Sequence, residues 1–211
     1  MTQPAAPSRF VEQLGGVKGM VDSGLPVVVF VAANALAGLR WAIGAALVAG
    51  VLIFGVRLGR RERVQFAVSG LLGVGIAAFF AWRLRSASGF FIPGIVLNGA
   101  YFLAFAGSLL LRRPLVGLLW TYLGEGHPDW RKRPALRRAY TLATLLWTAM
   151  YAAKTAVQGL LLVLDKTGWL AVAKLAMGYP LFALVAAATV WLVRRGTAAD
   201  PVQLPVPAPG G

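Results

Sequence analysis

The chain has no cysteine, a single histidine and only seven acidic residues among 211. Without cysteine there is neither a disulfide nor a thiolate metal site. Zinc sites need three or four fixed ligands, and the nearest approach here is Glu125, His127 and Asp129, alternating in the loop from Gly124 to Trp130. One histidine with two loop carboxylates reads as a solvated loop, and no metal is expected. The acidic inventory is Glu12, Asp22, Glu62, Glu125, Asp129, Asp165 and Asp200. No two are placed as paired acid–base carboxylates; the most that can be offered is Asp22 with Lys154. Glycine-rich phosphate loops and nucleophile motifs are also missing, so no cofactor is expected and no enzyme class is indicated.

What the chain has instead is long stretches without charge. Val64 to Trp82, Ser86 to Leu111 and Leu175 to Val193 carry none, and a bilayer core about 30 Å thick takes about 20 apolar residues of helix to cross. Ser23 to Leu39 and Trp41 to Val56 are shorter and read as a tight helical hairpin. A fifth span, Ala139 to Leu164, contains Lys154, and a sixth, Trp169 to Val193, contains Lys174. The expected fold is therefore an all-α integral membrane bundle of six transmembrane helices.

Basic residues outnumber acidic ones by 21 to seven, and their positions alternate. Arg9 and Lys18 precede the first span; Arg57, Arg60, Arg61 and Arg63 follow the second. Arg112, Arg113, Arg131, Lys132, Arg133, Arg137 and Arg138 follow the fourth, and Arg194 and Arg195 the sixth. The intervening connections hold only Arg40, Arg83, Arg85 and Lys166. Cytoplasmic loops keep the positive excess, so both termini are expected in the cytoplasm. Attraction to anionic lipid headgroups follows, at about 1 kcal/mol per surface Lys or Arg. Nucleic acid is not an expected partner, because the charges sit at membrane boundaries and no nucleic-acid module accompanies them.

Residues 1–22 lack the short apolar core and cleavage site of a signal peptide. Phe10, Leu14, Val17 and Val21 recur at helical spacing, as in a short interfacial helix. Asp22 is placed to cap the first span, with Pro26 in its opening turn. Pro114 to Leu123 spans only about 15 Å as a helix and cannot cross, so an interfacial helix over 114–123 is expected, followed by a basic loop over 124–138. The proline-containing tail, 194–211, is expected to be disordered. The membrane domain is then 23–193. Pro93 and Pro180 are expected in first helical turns.

Small residues recur every four positions: Ala42, Ala46 and Gly50; Ser69, Gly73, Ala77 and Ala81; Ala100, Ala104 and Ser108. Such faces let helix backbones approach closely, and packing within the bundle is their expected use. Polar residues inside spans are the functional candidates. Lys154 lies deep in the fifth span with Gln158 one turn on, and Lys174 enters from the next span. Together they outline a polar, anion-attracting cavity. Asn34 and Asn98 are placed for interhelical hydrogen bonds.

Several strings carry a family resemblance. They are Asp22-Ser23-Gly24-Leu25-Pro26, the run from Val64 to Gly73, Phe90-Phe91-Ile92-Pro93-Gly94, Arg112-Arg113-Pro114-Leu115-Val116-Gly117, and Arg137-Arg138-Ala139-Tyr140 with Trp147. The stretch from Gly15 to Val193 resembles an actinobacterial family of six-span membrane proteins of unknown function. That family is in turn similar to the intracellular septation protein A family of bacterial inner-membrane proteins, where a basic pair also precedes Pro-Leu after the fourth span. The resemblance implies a non-enzymatic role in envelope upkeep or septation, with other envelope or division membrane proteins as partners. Two other readings stay open: a small transporter using the Lys154 cavity, and an intramembrane enzyme acting on an isoprenoid or similar lipophilic substrate.

Overall fold

In a computed structural model the described residues are 16–60, 64–123 and 129–199, with side chains described from Gly24 onward except at residues 64 and 66. Among them every regular element is helical. The helices are α1 (Gly16–Ala37), α2 (Leu39–Gly59), α3 (Val64–Arg83), α4 (Ile92–Leu110), α5 (Leu115–Tyr122), α6 (Pro134–Val163), α7 (Thr167–Ala176) and α8 (Tyr179–Ala199). Two 3₁₀ turns, Ala87–Phe91 and Trp130–Lys132, precede α4 and α6. Three segments are long and apolar enough to cross a membrane: Leu39–Gly59, Ala87–Leu110 and Thr167–Ala199.

Three helices close in the same way, although none of them ends on glycine. After α3, the amides of Arg85 and Ser86 donate to the carbonyls of Trp82 and Ala81. After α4, Arg112 and Arg113 donate to Leu109 and Ser108, and after α6, Asp165 and Lys166 donate to Leu162 and Leu161. Paired closures of this kind satisfy carbonyls left over at a helix end and need one left-handed residue. That residue is Arg85, Arg112 or Asp165, with φ of 50°, 54° and 50°. The α1–α2 link needs a single such residue, Gly38 at φ 84°.

Several boundaries differ from those read in the sequence. Asp22 does not cap the first helix, because α1 already runs from Gly16 and holds Pro26 inside it. Proline removes one amide donor, and a helix of 22 residues retains enough other bonds to continue through it. Val17 and Val21 are thus part of α1, while Phe10 and Leu14 lie outside the described residues. The 124–138 segment is not all loop, since a 3₁₀ turn and the start of α6 fall within it. Nor is 194–199 disordered: α8 continues to Ala199, with Thr197 donating to the Val193 carbonyl at 3.0 Å. Residues 200–211 lie outside the described residues.

The last apolar stretch is broken into α7 and α8 at Met177–Gly178. A Cβ on Gly178 would lie 2.7 Å from the Lys174 carbonyl oxygen, so the turn requires glycine. Pro180 then sits in the first turn of α8, as Pro93 does in α4, where its missing amide costs nothing.

The described residues form two compact units. One comprises the residues up to Val96 with Val157–Tyr179, and the other Leu97–Ala156 with the residues from Pro180. In the first, α1 packs on α2, α2 on α3, and α7 on α1 and the 3₁₀ turn. Its core joins Phe30, Ala42, Ala46, Ala77, Ala81, Phe90, Phe91 and Leu170. In the second, Phe105, Val116, Trp130, Leu136, Tyr140, Ala143 and Val193 form the core.

Small residues account for the closeness of α2 and α3, but only in part. Ala42, Ala46 and Gly50 are all buried, as expected. On α3, Ala77 and Ala81 are buried, whereas Ser69 and Gly73 are exposed, and on α4 only Ser108 of its row is buried. A row at every fourth residue drifts about 40° per step around a helix of 3.6 residues per turn. Three such steps turn a four-residue row by about 120°, so its members cannot all face one partner. A Cβ on Gly73 would meet nothing within 4 Å, while one on Gly50 would lie 3.4 Å from Val74 Cγ1. Gly50→Leu is therefore expected to cost about 1–3 kcal/mol by overpacking, seen as a lowered melting temperature in detergent, with Gly73→Leu melting like the parent protein. The reverse order would refute this assignment of faces.

Candidate functional site

In the second unit, hydroxyl groups place the short helix α5. Its first amides have no partners within the helix. Leu115 N–H donates to Ser108 Oγ at 3.2 Å, and Val116 N–H to Thr144 Oγ1 at 3.3 Å. Each hydroxyl in turn donates to its own helix, Ser108 to the Phe105 carbonyl and Thr144 to that of Tyr140, both at 2.7 Å. Trp130 is buried against α5 at Gly117, where a Cβ would come within 3.0 Å of the indole. Its ring meets Tyr140 edge-on at 5.2 Å.

Beyond this anchor an aromatic column runs between α4, α6 and α8. Tyr101 lies 5.1 Å from Tyr151, Tyr151 5.7 Å from Phe105, Phe105 5.9 Å from Trp147, and Trp147 5.1 Å from Phe182, centroid to centroid. Trp147 is fixed by its ring N–H, which donates to Thr189 Oγ1 at 3.0 Å. Thr189 donates onward to the Val185 carbonyl at 2.8 Å. Tyr101 is 43% exposed, so one end of the column is open.

Lys154 sits at that end. It is buried, at 8% exposure, and its Nζ lies 5.6 Å from the centre of the Tyr151 ring. Tyr151 is one turn nearer the start of α6, the direction in which helical side chains lean. Removing an ammonium from water costs several kcal/mol, and a cation–π contact returns about 0.5–2 kcal/mol. No carboxylate among the described residues lies within ion-pair distance of it. Asp129 is paired with Lys132 at 3.1 Å, and Asp165 accepts a hydrogen bond from Ser88. The next residue, Thr155, has its Oγ1 buried with no partner. Thr141, Thr144 and Thr148 on the same helix all donate to the carbonyl four residues back.

Lys174 is arranged differently, in the first unit. It is half-buried, with Nζ 5.8 Å and 5.4 Å from the centres of Phe90 and Phe91. Phe90 is itself stacked on Phe30 at 4.1 Å. Close by in the chain, buried Ser88 donates to Asp165, leaving the Thr167 hydroxyl as donor to Ser88 at 2.9 Å. These bonds tie the 3₁₀ turn to the α6–α7 connection.

The other polar candidates divide between the units. Gln158 is buried at 4% and Asn34 is half-buried, both in the first; Asn98 is half-buried in the second. Lys154 belongs to the second unit and Lys174 to the first. The side chain of Asp22 and residues Glu125 and His127 lie outside the described residues. Among the described residues no three His, Asp, Glu or Cys side chains gather as a metal site. Ser88, Asp165, Thr155 and the pair Tyr101 and Tyr151 were not singled out by sequence. A serine beside two phenylalanines and a tyrosine in an apolar run carry no pattern that marks them.

Described elements that are all helical, three membrane-length apolar segments, a helix break at glycine and a buried lysine beside a tyrosine ring define a helical protein of membrane type. The chain belongs to the family described as protein of unknown function (DUF3159), which matches residues 14–200. No curated protein and no solved structure matches the chain.

Because no described acceptor depends on Lys154, Lys154→Met is expected to accumulate normally and to melt at or above the parent temperature. Breaking a buried pair would instead cost about 3–5 kcal/mol. A fall of that size would reveal a partner for the ammonium and contradict this account.

Proposed function

We propose that this is a six-span protein of the bacterial cytoplasmic membrane, with both termini in the cytoplasm and a non-enzymatic role in envelope maintenance or septation. The observation that carries the membrane reading is the apolar exterior. Leu52, Leu72, Val96, Leu103, Leu160 and Leu184 on five different helices are 59–67% exposed, with Leu103 and Leu184 each at 67%. Exposed apolar surface on this scale needs lipid or partners to cover it.

The count of six adds α1, α3 and α6 to the three longest apolar segments. At 22, 20 and 30 residues they span about 33, 30 and 45 Å. Arg137 and Arg138 lie in the first turn or two of α6, leaving Lys154 as its one charge beyond them. At eight residues α5 reaches only about 12 Å and lies along the interface. With this order, the basic connections all fall on one side, which supports cytoplasmic termini. Contact with anionic lipids follows from the same charges. The envelope or septation role, and other envelope or division proteins as partners, rest on the resemblance to septation protein A.

A transporter reading is favoured by one observation, the buried Lys154. The isoprenoid-enzyme reading has no described acid to pair with it.

Reporter fusions after Arg60, after Gly126 and at the C-terminus are expected to report cytoplasm, and a fusion after Asp165 the opposite side. A periplasmic signal after Gly126 would overturn the six-span order, because it would require the neighbourhood of α5 to cross. Depleting the protein is expected to lengthen cells or space their septa further apart. Unchanged cell length and envelope permeability would remove the envelope role while leaving the topology untouched.

A further inference from the structure

The end of the aromatic column in the second unit has features that packing alone does not use. Lys154 is buried with no described counter-ion, and its side chain reaches to Tyr151, toward the middle of α6. α6 ends nine residues after Lys154, at Val163, about 14 Å away. The ordinary helical lean toward the preceding turn carries its side chain to the Tyr151 ring and away from that nearer end.

The neighbouring Thr155 hydroxyl is likewise unspent, although threonines earlier on the helix return theirs to the backbone. Across from it on α4 is Gly99, where even a Cβ would stay 3.8 Å from Thr155 Cγ2. Tyr101, 43% exposed, opens the column at this end, and Phe105, Trp147 and Phe182 continue it inward as packed apolar rings.

We propose that Lys154, Thr155 and this column form a site for a long-chain carboxylate. The carboxylate is held by Lys154 Nζ, with Thr155 Oγ1 donating a second hydrogen bond, and the hydrocarbon chain lies along the rings from Tyr101 toward Phe105 and Trp147. Charge decides the class. One ammonium with one hydroxyl matches a monoanion with two acceptor oxygens, whereas a phosphate monoester would bring nearly two charges to the one ammonium of Lys154. A column of rings opening at Tyr101 suits an amphiphile that enters from the bilayer. The site rests on the membrane reading above but not on the number of spans.

The test uses the full chain in phosphatidylcholine nanodiscs, titrated with cis-parinaric acid, a conjugated fatty acid that accepts excitation from tryptophan. Saturable energy transfer is expected, with affinity at least tenfold lower in Lys154→Met and about threefold lower in Thr155→Val, and retained in Lys154→Arg. The methyl ester should bind the parent protein no better than the acid binds Lys154→Met. Oleate should displace the probe, and acetate at the same concentration should not. Equal affinity of the parent and Lys154→Met, with both melting normally, would overturn the site, as would equal binding of the ester. Displacement by acetate as effective as by oleate would overturn it in favour of a small soluble anion. Should Lys154→Met not fold, the Thr155→Val and ester comparisons decide. The fusion reporters are independent of all these outcomes, so a failed site and a failed topology are told apart.

Discussion

An apolar chain must find partners for its backbone polar groups within itself, because neither lipid nor packed hydrocarbon supplies them. This constraint governs each place where a helix starts, stops or breaks. Three helix ends fold back on their own carbonyls at the cost of a left-handed arginine or aspartate. The exposed start of α5 is served by two hydroxyls from α4 and α6. At the α7–α8 break the chain bends where glycine permits a carbonyl to approach within 2.7 Å of the absent Cβ. Ser108 and Thr144 thus stand where amides were left over, other threonines return their hydroxyls to the carbonyl four residues back, and Thr155 does neither.

Charge follows the same logic with a different outcome. With 21 basic and seven acidic residues, this chain has too few acids to pair every cation, and it places most of the cations at helix ends. Two lysines remain inside apolar helices, and both are laid over aromatic faces. Lys174 rests on two buried phenylalanines of the 3₁₀ turn, and Lys154 on a tyrosine at an open end. A ring face offsets only part of the cost of burying an ammonium. The first lysine lies over two buried rings, whereas the second lies beside the exposed end of an aromatic column, which is why the second is the better candidate for holding an anion.

Helical identity, apolar segments of membrane length and the shortness of α5 were legible because charge-free length and proline position are local properties. Ala42, Ala46 and Gly50 could also be read as a packing face from spacing alone. The outer half of the α3 row could not, since the same spacing drifts around the helix and only the position of α2 shows where contact ends. The start of α1 was misplaced because Asp22-Ser23 and Pro26 form a capping signal that a continuing helix overrode.

By itself the sequence determined the helical class, the absence of thiol chemistry and the depth of Lys154 in its helix, because each depends on composition or on distance along one chain. Tertiary structure decided what surrounds those residues. It turned Lys154 toward Tyr151, left the Thr155 hydroxyl unpaired, bound Ser88 to Asp165 across 77 positions and set Trp147 against Thr189. The physical reason is that a polar group's partner in an apolar bundle is chosen by which helix faces it, and facing is settled by packing rather than by order along the chain.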